Sequence, residues 1–528
     1  MSFPSVTINT LNGGSGRPLP GFDYYSGLMF YGTAPSVTGK WDTYTGSPNI
    51  KAQQLFSAAD ATSAGILPNT ENTAAVAIYE ILTAATAAGE TIVFSVDVPQ
   101  QNGAVDTVSI GTYTTVSGDT VIDTLGANLV IFINAGTVTH GFSATYSSAD
   151  NELSITARKK DGVSLNTGSP LDIDVSDTDI TGTITQFAGG TASQYAIWFY
   201  QISEYFRIFG TGGTLWVGII SATSSRNEIV TLQNQAALGK LRQIGIYDTS
   251  TTTGLAANIT ASLLTVQNAV DTLEQTAPCV VVYAPNVKPV ADITTYPDQN
   301  LNTAGNCQCV ISQDGLADGA LLFVQSGQSV GNIGAKLASI AKSRVSASDA
   351  QPIDTFNMSN GIENNTPAFA NGQLSSAVSN GGQIQLQNYN YTFFRTWGDV
   401  KVGTYWNDNR TCIVNSDDFA YVNDNRTIQK VQRICRQTYV PLLSSEIIFN
   451  ADGTLTDAAV AYFEGAGLDA ITAGMITGYG SLPLISGVSV EIDPTQDVVE
   501  TNNLIVFVTI VRNGIARNIT VNVGFGTL

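Results

Sequence analysis

The sequence predicts an α/β chain, α+β overall, in several domains around a largely parallel sheet. Three observations carry that expectation. Short apolar strands alternate with helical runs over residues 193–388, as in a parallel sheet covered by helices on both faces. An acidic stretch interrupts the chain before them. Residues 389–528 then turn to long helices and end in an alternating strand pattern.

Four regions follow in chain order. Residues 1–64 hold an N-terminal arm, with Val6 and Ile8 in a short strand pattern, and the start of the core. Residues 65–192 read as an inserted, peripheral α+β module. Within it, 68–192 carries 14 acidic and 3 basic residues, so −11 of the chain's formal −20. A helix is expected over Thr73–Ala88, strands over Thr91–Val96 and Val105–Ile110, and a second helix from Ser117-Gly118-Asp119 through Leu125, Leu129 and Ile133.

Residues 193–388 form the core proper. Helices are expected at Ala196–Phe206, Leu255–Leu273 and Val330–Val345, and strands at Thr214–Ile219, Gln243–Tyr247, Cys279–Tyr283, Cys307–Ile311 and Ala320–Val324. Residues 389–528 make a C-terminal α+β domain. It has a helix over Asp424–Tyr439, a second over Asp457–Glu464, and a closing hairpin. Leu504–Val511 would turn at Asn513-Gly514 into a strand in which Ile519, Val521, Val523 and Phe525 share one face.

Composition excludes several classes. A net charge of −20 disfavours binding to nucleic acid or to anionic lipid. No apolar run is long enough to span a bilayer, and the N-terminus lacks a secretory pattern. Five cysteines, an odd number, suit reduced thiols in a cytoplasm. The single histidine, His140, leaves little from which to build a hydrolase or metal centre, and its glycine-flanked setting reads as a solvated turn. Gly210-Thr211-Gly212-Gly213 precedes a strand, where a phosphate loop would follow one. Gly327-Gln328-Ser329-Val330-Gly331 lacks a partner base, and Ser329 reads as a helix cap. Cys307-Gln308-Cys309 places two thiols on one face of a core strand, and Asp417-Asp418 reads as a loop or cap. No catalytic residue, cofactor or metal is expected.

One pattern stands out from this background. Arg426, Lys430, Arg433 and Arg436 recur at spacings of four, three and three on a helix whose other side carries Ile428, Val431, Ile434 and Cys435. It is a concentrated basic face on an acidic chain.

Several short stretches, in order, resemble the contractile tail sheath family of phages and phage-like injection systems. They are Tyr31-Gly32-Thr33-Ala34, Ile202–Arg207 with Gly213–Val217, Ser329–Gly334, Tyr405–Asp408 with Thr411-Cys412, Asp417–Tyr421 with Asn425–Lys430, Tyr439-Val440-Pro441 and Ile492–Asp497. All lie outside the acidic module. The branch they resemble most carries only the label of a domain of unknown function.

The resemblance implies a structural, non-enzymatic subunit that forms stacked hexameric rings and a helical sheath around an inner tube protein. It further implies baseplate and tail-terminator partners, assembly in a bacterial cytoplasm, and contraction that drives the tube through a target envelope. Terminal arms would add strands to neighbouring copies, through Val6 and Ile8 at one end and Ile519, Val521, Val523 and Phe525 at the other. The basic face of the 424–439 helix would hold the tube. A receptor-binding or adhesin protein is the alternative that the acidic, Asn- and Thr-rich composition leaves open.

Overall fold

A computed structural model of the chain describes residues 23–46, 49–99, 105–176, 179–193, 195–220, 226–250, 255–326, 328–359, 361–517 and 519–521. The Val6 and Ile8 arm and the Val523 and Phe525 positions lie outside the described residues.

The core is an eight-stranded sheet. Its order across the sheet is Tyr391–Thr392, Cys307–Val310, Val280–Ala284, Gln243–Tyr247, Ser26–Tyr31, Leu215–Ile220, Ile50–Leu55 and Asp42–Tyr44. The first six run parallel, and the last two form an antiparallel margin. The expectation of a largely parallel sheet therefore holds. Both faces are covered, which is why these strands read as continuous apolar runs. Along Val280–Ala284, Val281 and Tyr283 join the cluster under the Ile259–Glu274 helix. Val280, Val282 and Ala284 join the opposite cluster under the helices Ala196–Phe209 and Ile333–Lys342. That alternation is the two-residue period of a strand. The two helices on the second face cross closely at Gly334, where a Cβ would come within 1.8 Å of the Gln201 carbonyl oxygen, so only glycine fits.

Four sequence expectations fail here, each for a local reason. Ala320–Val324 lies within a helix, Asp318–Gln325, whose first turn is organised by Asp314; its carboxylate accepts from the Ala317 and Ala320 amides. Ser329 does not cap a helix. It donates to the Ala370 carbonyl and accepts from the Val287 amide, while Asn332 is the residue preceding Ile333–Lys342. Thr73–Ala88 is not a helix but contains the strand Val76–Thr83, with Ala77, Tyr79 and Ile81 turned inward. A run rich in alanine but bearing β-branched and aromatic residues at alternate positions satisfies either period, and pairing with two neighbours decides it. His140 is buried at the end of a short helical turn, with Nδ1 accepting from the Phe142 amide.

The acidic module has its own core. A four-stranded antiparallel sheet (Thr181–Ala188, Val76–Thr83, Glu152–Thr156, Ser143–Ser147) and a three-stranded one (Val105–Thr114, Thr91–Pro99, Leu171–Val175) enclose the helix Ile122–Ala135. The buried cluster between them draws only on residues from Ala75 to Phe187. Chain enters and leaves through one antiparallel bridge, Thr73 to Thr191. Replacing residues 74–190 by a short Gly/Ser linker is therefore expected to leave the remainder folded. Its melting temperature should move by less than about 4 °C, the effect of roughly 1 kcal/mol in a large domain; collapse of the far-ultraviolet spectrum would refute the module's independence.

Candidate assembly surface

The C-terminal part is a layer built on two helices, Val422–Tyr439 and Asp457–Met475, and a two-stranded antiparallel sheet, Ile485–Glu491 with Phe507–Arg512. Val431, Ile434, Cys435 and Tyr439 of the first helix pack against Phe463, Ile471 and Met475 of the second and against Ile485 and Val490. The apolar side of the basic helix thus faces its own domain, as its spacing suggested.

The basic side also faces inward. Arg426, Lys430 and Arg436 are buried and Arg433 is nearly so. Lys430 Nζ donates to Asp23 Oδ2 at 2.5 Å and to the Tyr479 hydroxyl at 2.5 Å. Arg433 stands 3.5 Å from Asp23 Oδ1. Arg426 donates to the Asp23 carbonyl at 3.2 Å and to Ser343 Oγ at 2.8 Å. Arg436 donates to the carbonyl of Gln275 at 2.5 Å, at the C-terminal end of the Ile259–Glu274 helix, where a cation suits the helix dipole.

Burial pulls Arg426 and Arg436 down to about 10 each. Burial and the nearby Arg433 charge bring Arg242, beside the same seam, to about 9. Burial also raises the Asp23 carboxyl, but Lys430, Arg433 and Arg426 more than offset it and hold it below its ordinary value.

This arrangement corrects the expectation that Arg426, Lys430, Arg433 and Arg436 form an outward face for a tube. All four are engaged inside the chain, joining the C-terminal layer to the α/β core. Charged residues usually face water, and spacing alone does not reveal a counter-charge four hundred residues earlier. Asp23 is that counter-charge, and nothing in its local sequence marks it.

The expected terminal hairpin is also corrected. Phe507–Arg512 pairs with the preceding strand, and residues 513–517 and 519–521 form no strand. A tight hairpin turn at Asn513-Gly514 requires positive φ at both residues, and neither has it. Asn513 instead donates to the Pro483 carbonyl at 2.8 Å and bonds Ser486 Oγ at 2.8 Å. The chain beyond is held by Arg517, which lies over the Tyr421 ring and bonds Asp408 and Asn409. Ile519 and Val521 are 80% and 74% exposed.

What this leaves is an open sheet margin. Among the described residues Phe507–Arg512 has one strand neighbour, so its other edge carries unpaired backbone groups. Phe507 and Val511, on its outer face, are 58% and 57% exposed. Val508 and Ile510, on the inner face, pack on the layer's core. The apolar character on both faces was legible in Leu504–Val511, but the open edge was not.

Residues 418–527 match the model of the C-terminal domain of the DUF2586 family. No curated protein matches. Among solved structures, the chain is similar to a chain of the cryo-EM structure of the anti-feeding prophage (AFP) baseplate, 6-fold symmetrised. The TM-score is 0.37 and the identity 13%, over 62% of this chain and 80% of that one. Among the described residues, no helix is long and apolar enough to cross a membrane, and no group of three or more His, Cys, Asp or Glu could hold a metal ion.

Proposed function

We propose that the chain is a structural subunit of a contractile tail, the sheath protein, which polymerises with copies of itself as stacked hexameric rings around an inner tube and contracts to drive that tube through an envelope. The observation that carries the proposal is the open, apolar margin of the C-terminal sheet. An exposed strand edge with exposed Phe507 and Val511 is an aggregation hazard unless another strand pairs with it, and strand addition supplies affinity through the backbone and register through alternate side chains. Ile519, Val521, Val523 and Phe525 alternate in the sequence as such an added strand would. The order of short motifs shared with sheath proteins supports the same reading.

Inner tube, baseplate and tail-terminator proteins are proposed partners on that basis. The inward basic helix gives no grip on the tube, so tube contact on this proposal falls to other surfaces. The adhesin reading gains nothing from a core of six parallel strands.

The double substitution Phe507→Asp, Val511→Asp tests the proposal. Both side chains are exposed, so the monomer should keep its circular dichroism and melting temperature. Rings and tubes visible by negative stain for the unchanged protein should disappear. Assembled tubes from the double variant would refute strand addition at this margin.

A further inference from the structure

A second surface, remote in sequence from the C-terminal sheet, has the composition of an interface. Two short ladders frame a cleft. One pairs Pro367–Phe369 with Ser312–Asp314, the other Phe394–Thr396 with Thr404–Trp406, and each has two strands among the described residues. The cleft between them encloses about 360 Å³ and is lined by Pro367, Phe394, Arg395 and Thr396 from the ladders, with Asn380 and Gln383 from the helix Asn380–Asn388.

Its charge is one-sided. The lining is otherwise neutral, with Arg395 as the single ionised side chain and no carboxylate. Among the described residues Arg395 has no carboxylate partner; its guanidinium lies 4.3 Å from the centroid of the Trp397 ring. Stacking on an aromatic face fixes the guanidinium plane while leaving its edge donors free for a carboxylate. Ser375 Oγ, also in the lining, is buried without a hydrogen-bond partner. Beside the cleft the loop after Trp397 exposes Val400 at 91% and Val402 at 82%. An arginine in the lining of a polar cleft, its guanidinium over the ring of Trp397 two residues on and exposed apolar residues in the loop that follows, has the composition of a binding hot spot.

We infer that this cleft is a docking surface for an acidic segment of a second copy of this chain. Charge complementarity carries the choice of occupant. The chain bears 43 acidic against 23 basic residues, and the four cations of its basic helix are already engaged internally, so each copy offers acidic segments in excess, and this cleft offers an arginine with no carboxylate partner among the described residues. The inference rests on the reading that the chain assembles with itself, but it concerns a surface distinct from the C-terminal margin. A contact between two different patches that is not reciprocated within one pair is heterologous, and such a contact propagates into rings or helices instead of closing as a two-fold dimer.

Sedimentation velocity of the full chain, at low and at high salt, tests it with Arg395→Glu, Arg395→Lys and Trp397→Ala. Arg395 and Trp397 are partly exposed, so all three should melt with the unchanged protein. The expected result is self-association of the unchanged chain that weakens as salt rises. Arg395→Glu and Trp397→Ala should each lower it by tenfold or more, and Arg395→Lys by less, since lysine keeps the charge but not the fork. If the unchanged chain and Arg395→Glu associate equally at both salts, the cleft is not the surface, while self-assembly stands. If the unchanged chain remains monomeric under all conditions, the occupant named here is wrong and the assembly reading falls with it.

Discussion

Asp23→Asn is expected to lower the free energy of unfolding by about 2–4 kcal/mol, a large effect for a side chain that is 26% exposed. The substitution keeps the shape and removes the charge. Lys430 and Arg433 then sit in a poorly hydrated seam where, among the described residues, their remaining acceptors, the Tyr479 hydroxyl and the Pro278 carbonyl, are neutral. Removing one partner of a buried cluster leaves the desolvation cost of the others standing, which is why the loss exceeds the value of an exposed pair.

The pH dependence follows from the direction of the shift. The folded-state carboxyl titrates below the unfolded one. Its stabilisation is therefore complete above the unfolded value near 3.8 and is lost as pH falls through the folded value. Urea unfolding between pH 2 and 6 should show a steeper acid limb for the unchanged protein than for Asp23→Asn, with the two curves converging at the acid end. Parallel curves would remove Asp23 from the seam's energetics.

Lys336→Met is expected to cost about 3–5 kcal/mol. Lys336 is fully buried, and its ammonium bonds Asp349 Oδ2 at 2.7 Å while lying 4.9 Å from the Trp406 ring centroid. Methionine fills the volume but removes the ammonium bonded to Asp349, whose remaining hydrogen bond among the described residues is the 2.6 Å bond from Ser339 Oγ. The second substitution Asp349→Leu, in the Lys336→Met background, should recover most of the loss, because a matched apolar pair carries no desolvation cost. Denaturant midpoints of the single and double variants decide it: a double variant no more stable than the single would mean that packing, not charge, governs the site.

Periodicity made the parallel core legible, because strands buried on both faces leave unbroken apolar runs such as Cys279–Tyr283 and helices leave regular spacing such as Leu263, Val266 and Val270. Short elements with mixed signals were not legible. Ala320–Val324 is a single apolar block that suits either structure, and a carboxylate six residues upstream makes it helical. Asn513-Gly514 favours a tight turn in isolation, but side-chain bonds to Pro483 and Ser486 hold another path. The seam was hidden for a different reason. Its cations were visible at once, but the partner Asp23 is 407 residues from Lys430 along the chain. The open edge of Phe507–Arg512 was hidden likewise, since a strand pattern does not say how many neighbours a strand will have.

The five cysteines have a practical consequence for following this protein. All are buried, and burial pushes the thiols up, to about 12 for Cys279 and Cys412, about 11 for Cys435, and well above the ordinary value for Cys307 and Cys309. A thiol reacts as its thiolate, so in the folded chain an aqueous disulfide or maleimide reagent meets almost no nucleophile. Labelling then reports opening rather than surface chemistry. Four of the thiols sit in the core, and Cys435 alone sits in the C-terminal layer's apolar cluster. The order in which they become reactive under rising denaturant therefore reads out, residue by residue, whether the layer detaches before the sheet melts.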